Sequence, residues 1–509
     1  MAASQRKAGA ILSYVSLVVN AVASFVYVPL LLRFLTVSEY GVYELIGSVI
    51  AYLSVMDMGL CTTLSRFYVK ARVSQDGAAV ENLLAMAVFA YGVITVIAVL
   101  IGLGLNGLLG GVLGASFTAE ELTLAHRMMG LVIVNCAVAL PGNWFLALIN
   151  ASERFVFARA LSIAKYVLQI LVVLAVLSRH SGALAVLMVQ VACNAAAVVV
   201  SAIYVARRLR VRVRFHCWDG RLAASMFAFS GFVLLNMVFD QVFWKTGQVV
   251  LGAVRGSQDV AIYGIACKVI TAGYMQVSTG VTSVFLPLLT ELSARGKGAL
   301  DAINELFCRI GRIQAYLVWG MLGGFAVLGR MFVGLWAGTD FISAYPAVLV
   351  LMAGLSVALV QNLGLSVLQA MNKMGFRATV YTVLAVLDVA LSVPSAAHFG
   401  VMGVAVVAAV LLLVGTGPIM NAYYHRAIGI DMRAFWRGVL PVTMPAAIAS
   451  VLTLLIAWLV VPGEGWLELA GLGAAYVAVY FIVAWRFTMN EYEKSLLARI
   501  PHRLRGLRR

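Results

Sequence analysis

The sequence predicts an all-α polytopic membrane protein of about fourteen transmembrane helices. They form two parallel, pseudo-repeated six-helix lobes around a central cavity, followed by two C-terminal helices. Three observations carry this: apolar runs of membrane-spanning length, a sided distribution of basic residues, and internal similarity at an offset near 220 residues. Of the 509 residues, 63% are hydrophobic and 11% charged, with a mean hydropathy of +0.98. Water-soluble domains carry about 25% charged residues, so most of this chain cannot face water.

The first seven apolar runs cover 9–32, 41–65, 82–109, 122–150, 158–178, 182–206 and 222–252. Seven more cover 260–290, 303–336, 345–372, 378–397, 401–424, 437–461 and 466–486. Each is close to or beyond the roughly 20 residues a helix needs to cross a bilayer. Residues 1–23 mimic a signal peptide, with Ala21-Val22-Ala23 at the cleavage position. The apolar run continues to Leu32 and further spans follow, which argues against a removable leader.

Charge placement orients the helices. Thirty of the 37 Lys and Arg fall in alternate connections and at the two ends: Arg6 and Lys7, a group at 66–72, another at 154–165, six arginines at 207–221, and further groups at 295–312, 373–377, 426–437 and 486–509. The opposite side carries only Arg33, Arg127, Arg179, Arg255 and Arg330. Positive residues accumulate on the cytoplasmic side, so both termini are expected in the cytoplasm.

The stretch RRLRVRVRFHCWDGR (207–221) suits a cytoplasmic linker drawn to anionic lipid headgroups rather than an RNA-binding segment. The expected organisation is an N-lobe at 1–206, the linker at 207–221, a C-lobe at 222–425, two further helices at 426–486, and a basic tail at 487–509.

The duplication rests on three ordered matches. EYGVYELIGSVI from Glu39 matches DVAIYGIACKVI from Asp259, each placing a tyrosine (Tyr43, Tyr263) four residues after the acid. SRHSGALAV (178–186) matches AAHFGVMGV (396–404), aligning Gly182 with Gly400, and ALINASERFVFAR (147–159) faces SVLQAMNKMGFR (366–377). Six helices per repeat is an even number, so both halves run the same way through the membrane, a transporter pattern.

Polar residues form stripes on the first two helices of each half. Ser13, Ser16, Asn20, Ser24 and Tyr27 share one face of the first helix, and Glu44, Ser48 and Tyr52 mark the second. Gln241, Trp244, Lys245 and Gln248 line the seventh; Lys268, Thr271, Ser278, Thr279 and Thr282 line the eighth. Small polar residues also serve helix packing. A lysine within a span is costlier and faces a cavity or a partner unless it snorkels outward. Lys245 and Lys268 are therefore candidates to line a cavity. Asp240, Asp388 and Glu44 are candidate charge partners or coupling sites.

Several function classes are excluded. The sequence has no GxxxxGK[ST] phosphate loop, no HExxH and no GxSxG. The six histidines and six cysteines lack metal-ligand or disulfide spacing. Neither a cofactor nor a metal is expected, no nucleic acid is a partner, and the chain is not read as an enzyme.

RFLTVSEYGVYELIGSVIAYLSVMDMGLCTTLSRFYVK (33–70), AIYGIACKVI with TSVFLPLLTEL (261–292), and the block at 368–407 resemble polysaccharide exporters of the multidrug/oligosaccharidyl-lipid/polysaccharide superfamily. Helices thirteen and fourteen fit its fourteen-helix branches. The resemblance implies a flippase for a polyprenyl-(di)phosphate-linked oligosaccharide in the bacterial cytoplasmic (inner) membrane, working by alternating access in cell-surface polysaccharide biosynthesis. It implies a cationic cavity, which Lys245 and Lys268 would supply, with Gln241, Gln248, Trp244, Asn20, Ser24, Tyr27 and Ser48 for sugar. Partners would be the lipid-linked glycan, membrane lipids, and a polysaccharide polymerase or glycosyltransferases. Lipid II flippases carry several arginines in helices one, two and eight, whereas this chain has only Arg33 there, which points to another glycan. A cation- or proton-coupled multidrug antiporter and a non-transporting membrane scaffold are the alternatives. The antiporters tend to have an acid in the first helix, and 9–32 has none.

Overall fold

The computed structural model describes residues 25–495, apart from 58, 74–76, 180–181, 210, 283–284, 286–288, 290, 293–298, 372, 461–462 and 464. The described elements are helical, and no strand occurs among them. Large apolar side chains such as Leu100, Leu108, Val386 and Leu467 stand exposed along the long helices. That surface needs hydrocarbon around it, and only a helix closes its own backbone hydrogen bonds there. The protein is thus an all-α polytopic membrane protein.

Contacts divide the chain into two compact units, Met1–Gly264 with Val389–Val401, and Ile265–Asp388 with Met402–Arg509. The first contains α1 (25–32), α2 (Val37–Ser54), α3 (Leu60–Val73), α4 (Gly77–Leu113), α5 (Ala119–Ala151), α6 (Phe155–Leu177), α7 (Ala183–Tyr204), α8 (Gly220–Val254) and the start of α9 (Ser257–Val269). Its strut is α5, which packs against α2, α3, α4, α6 and α7 through a face including Met128, Met129, Val132 and Leu140. Both α2 and α5 open with a capping box. The backbone N–H groups of Glu39 and Glu121 donate to Thr36 Oγ1 and Thr118 Oγ1, and their carboxylates accept from the backbone N–H groups of Thr36 and Thr118. Each box satisfies two amides that the first helical turn leaves unpaired.

The basic linker is fastened to the start of α4. Asn82 Oδ1 accepts the backbone N–H groups of His216 and Cys217, each at 3.2 Å, while His216 Nε2 lies 3.0 Å from Glu81 Oε2. Asp219 then caps α8, accepting from the N–H groups of Arg221 and Leu222. By packing, α8 joins the first six helices, lying against α2, α3 and α4.

The second unit holds the end of α9, α10 (Met275–Thr282), α11 (Ala299–Ala337), α12 (Ala344–Val360), α13 (Leu363–Ala370), most of α14 (Gly375–Val414), α15 (Met420–Tyr423), α16 (Met432–Val439), α17 (Thr443–Val460) and α18 (Trp466–Val483). Here α11 is the strut. Its stretch containing Gly320, Gly323 and Gly324 lets α17 and α18 approach: Tyr476 Oη donates to the Gly320 carbonyl at 2.8 Å and Ser450 Oγ to the Gly323 carbonyl at 3.1 Å. Small residues allow such close approach in a bilayer, where no hydrophobic force drives helices together. One end is clamped by Arg312, whose guanidinium holds both carboxylate oxygens of Glu493 at 2.7 and 3.1 Å and also reaches the carbonyls of Thr488 and Gly438. The two C-terminal helices are thereby built into this unit.

Among the described residues, ten helices are long and apolar enough to cross a membrane, or eleven when the bent pair Ala344–Val360 and Leu363–Ala370 counts as one span. Three features account for the difference from the expected fourteen. Most of the first apolar run lies outside the described residues. The 35-residue α8 falls outside that set of spans. The single stretch Gly375–Ile428 covers two expected helices and breaks at Gly400, whose φ is +57°.

Duplicated motifs meet in the same way. Glu39 sits against Gly182, the N-cap of α7, so that a Cβ there would lie 2.6 Å from Glu39 Oε1. At the equivalent place, a Cβ on Gly400 would lie 3.2 Å from Asp259 Oδ2, and Asp259 pairs with Arg255 at 3.2 Å. In each repeat an acid from the second helix approaches a helix start through a glycine. A carboxylate is favoured at a helix N-terminus by the peptide dipole.

Two stability outcomes follow. A Cβ at Gly41 would run into the backbone carbonyl of Ser257, so Gly41→Val is expected to cost about 1–3 kcal/mol through overpacking. Arg312→Ala strands the buried Glu493 carboxylate and is expected to cost about 3–5 kcal/mol. Thermal unfolding of the detergent-purified variants, followed by loss of monodispersity, checks both. An unchanged midpoint for Gly41→Val would mean that the α2–α9 approach is loose.

Candidate functional site

The polar stripes of the second and seventh helices meet as one seam between α2–α3 and α8. Thr63 Oγ1 lies 2.8 Å from Ser230 Oγ, and Tyr52 Oη lies 2.8 Å from Thr246 Oγ1. Farther along, Gln248, which is fully buried, donates through Nε2 to Glu44 Oε2 at 3.3 Å, while its Oε1 accepts from Ser48 Oγ and, at 3.4 Å, from Lys245 Nζ. Tyr40 Oη donates to Glu44 Oε1 at 3.0 Å. On α8, Ser230 and Gln248 are about 27 Å apart at 1.5 Å per residue, nearly the hydrocarbon thickness of about 30 Å. Their partners on α2–α3 run in the opposite chain direction, as antiparallel packing requires.

At the Gln248 end the carboxamide joins two opposite charges that do not touch. Its N–H faces the Glu44 carboxylate and its carbonyl faces the Lys245 ammonium, so the amide dipole is aligned with both. Glu44 and Ser48 are buried, whereas Lys245, Gln241 and Trp244 are half-buried. Trp244 meets Phe243 edge-on at 5.5 Å.

The other expected residues are distributed as follows. Tyr27 is half-buried beside Tyr43 and Gln169. Asn20 and Ser24 lie outside the described residues, and so does the side chain of Asp240 within α8. In the second unit, Lys268 is half-buried in the last turn of α9, immediately before the π-helical turn Ile270–Tyr274. Asp388 is buried in α14.

Sequence reasoning missed a second polar region. Lys165 sits among the basic residues of an expected cytoplasmic segment, yet the structure puts it ten residues past the start of α6, about 15 Å along the helix axis. There it lines a partly open cavity of about 320 Å³ between α2, α5, α6 and α7. Lys165 Nζ donates to Asn194 Oδ1 at 3.1 Å, and Asn194 Nδ2 passes the polarity on to Asn135 Oδ1 at 2.9 Å. Asn143, also on the wall, is anchored by donating to the buried Asp57 at 3.1 Å. The available signal was the set Asn135, Lys165, Gln190 and Asn194, one or two polar residues in the middle of each of three consecutive apolar runs. Among the described residues no group of His, Cys, Asp and Glu could hold a metal ion, and the six cysteines are free thiols.

Comparison with known proteins bears on this arrangement. A curated relative, the uncharacterized membrane protein EpsK of Bacillus subtilis (strain 168), is 22% identical over 501 residues, covering 94% of each chain. Among solved structures, the lipid II flippase MurJ in an inward closed conformation aligns with a TM-score of 0.74 at 12% identity, covering 94% of this chain and 97% of that one. An inward-facing multidrug resistance MATE family transporter aligns with a TM-score of 0.62, also at 12% identity, covering 83% and 96%. At such identities the likeness establishes the fold. The family model for polysaccharide biosynthesis proteins matches residues 7–293, more than half of the chain. The protein therefore belongs to the polysaccharide biosynthesis family.

Proposed function

We propose that this protein flips a polyprenyl-(di)phosphate-linked oligosaccharide across the bacterial cytoplasmic membrane by alternating access, supplying cell-surface polysaccharide. The observation that carries this reading is a half-buried lysine inside a long, largely apolar helix: Lys245 on α8, tethered to the buried Gln248. A charge at that depth is expensive, and a compact ammonium suits a phosphate oxygen. Lys268, beside the π-helical turn, would be the second cation. Seam hydroxyls and amides are chemistry for sugar. Glu44 and Asp388 are the acids through which a proton or cation would drive the cycle. The distribution of basic residues supports cytoplasmic termini, and a polymerase or glycosyltransferases would be the protein partners.

The test is lipid-linked glycan accumulation in cells carrying Lys245→Ala/Lys268→Ala, with protein level controlled. The expected outcome is intracellular build-up of the intermediate and a fall in surface polysaccharide of about tenfold or more, the loss of one charge-assisted hydrogen bond. Normal export would overturn the assignment. Export of cationic drugs with unaltered glycan would favour the antiporter instead.

The seam makes a separate prediction. Gln248→Leu leaves Glu44 and Ser48 without their amide partner and separates Lys245 from its tether. It is expected to destabilise the detergent-purified protein by about 1–3 kcal/mol and to lower export. Full stability together with full export would show that the amide link is dispensable.

A further inference from the structure

The first unit's cavity carries a more specific inference, which rests on the flippase reading above. We propose that it is a subsite for one acidic sugar of the transported glycan, with the sugar carboxylate bound by Lys165.

The wall chemistry selects the ligand. The described lining residues contribute one ammonium, four carboxamides (Asn135, Asn143, Gln190 and Asn194) and three serine hydroxyls, with no carboxylate among them. Asp57 reaches this wall only through Asn143, whose Nδ2 donates to it. The three hydroxyls donate to the carbonyls of Ile50, Ala158 and Ala197 in their own helices and keep lone pairs for a ligand, while the carboxamides carry both donors and acceptors, a mixture that matches the hydroxyls of a sugar ring. The single cation matches a single negative charge. A diphosphate carries more charge than one ammonium balances in a low-dielectric surrounding.

Geometry agrees with the chemistry. Lys165 has three N–H donors, and Asn194 accepts from one of them at 3.1 Å. The Asn194–Asn135 bond fixes the acceptor, so the ammonium is held in place at the wall instead of reaching for the membrane surface. A volume of about 320 Å³ sits at the small end of ligand sites, roughly 300–1,000 Å³, room for one ring. The cavity is partly open, so the rest of an oligosaccharide would extend out of it, and the cavity would read one position of the glycan.

Binding to the full chain in lipid nanodiscs tests this, using two synthetic probes: farnesyl-diphosphate-linked disaccharides ending in glucuronate or in glucose. The wild-type chain is expected to bind the glucuronate probe about 10- to 100-fold more tightly, the worth of a charged hydrogen bond. Lys165→Gln is expected to erase that preference while leaving the glucose probe within about twofold. Asn194→Asp, which sets a carboxylate against the ammonium, is expected to erase it as well. No preference in the wild type overturns the subsite and leaves the flippase reading standing. Equal weakening of both probes by Lys165→Gln also overturns it, since the cation would then serve the diphosphate common to both. Failure of the wild type to bind either probe would remove the flippase reading together with the subsite.

Discussion

The structure depends on one constraint: within the hydrocarbon layer a polar side chain has no water to turn to, so it must find its partner in the protein. The Gln248 carboxamide meets that constraint most completely. It is fully buried, and its two ends face an acid and a base that never touch. Through it α8, the seventh helix of the sequence, is joined to α2, the second. Farther along, the Thr246–Tyr52 and Ser230–Thr63 contacts repeat the pattern with neutral groups. A seam with charges at one end and hydroxyls along the rest concentrates its electrostatics on one level of the membrane.

Much of this was legible in the sequence because it is periodic or sided. Apolar runs and basic connections identify the polytopic architecture without any knowledge of contacts. The duplication was legible from isolated motifs, and the structure gives those motifs a shared purpose. Glu39 approaches the start of a helix at Gly182, and Asp259 does so at Gly400. Sequence similarity alone marks these four residues as equivalent; only the fold explains why glycine is required opposite each acid. Gly182 lies close to a carboxylate oxygen, and Gly400 additionally adopts a left-handed backbone.

What sequence reasoning missed is equally instructive. Lys165 follows Arg154 and Arg159 and counts with them in a tally of basic residues, because such a tally registers sign and not depth. Arg312 was grouped the same way, although it clamps Glu493 with most of its side chain out of solvent. The pairing of Gln248 with Glu44 could not be anticipated either. A stripe on one helix states that a partner exists, while its identity depends on which helices become neighbours, and α8 packs with the first six helices rather than only with those that follow it. Asn20, Ser24 and the side chain of Asp240 fall outside the described residues.

Lys245 and Lys165, both in the first unit, differ in a way that follows from their surroundings. Lys245 shares an amide with Glu44, so its charge is balanced two bonds away within the protein. Lys165 is bonded to a neutral amide, on a wall whose described residues carry no acid. An ammonium already balanced can exchange its partner for a passing phosphate and take it back, which suits a group that must release what it binds. An ammonium without a balancing acid on its wall gains more from an incoming anion, because the anion replaces no existing charge. A transporter needs both kinds of contact: one that lets go of the part every substrate shares, and one that responds to the part that distinguishes substrates. On the proposed reading, the polar seam and the amide-lined cavity would divide those demands between two faces of α2, one toward α8 and one toward α5, α6 and α7.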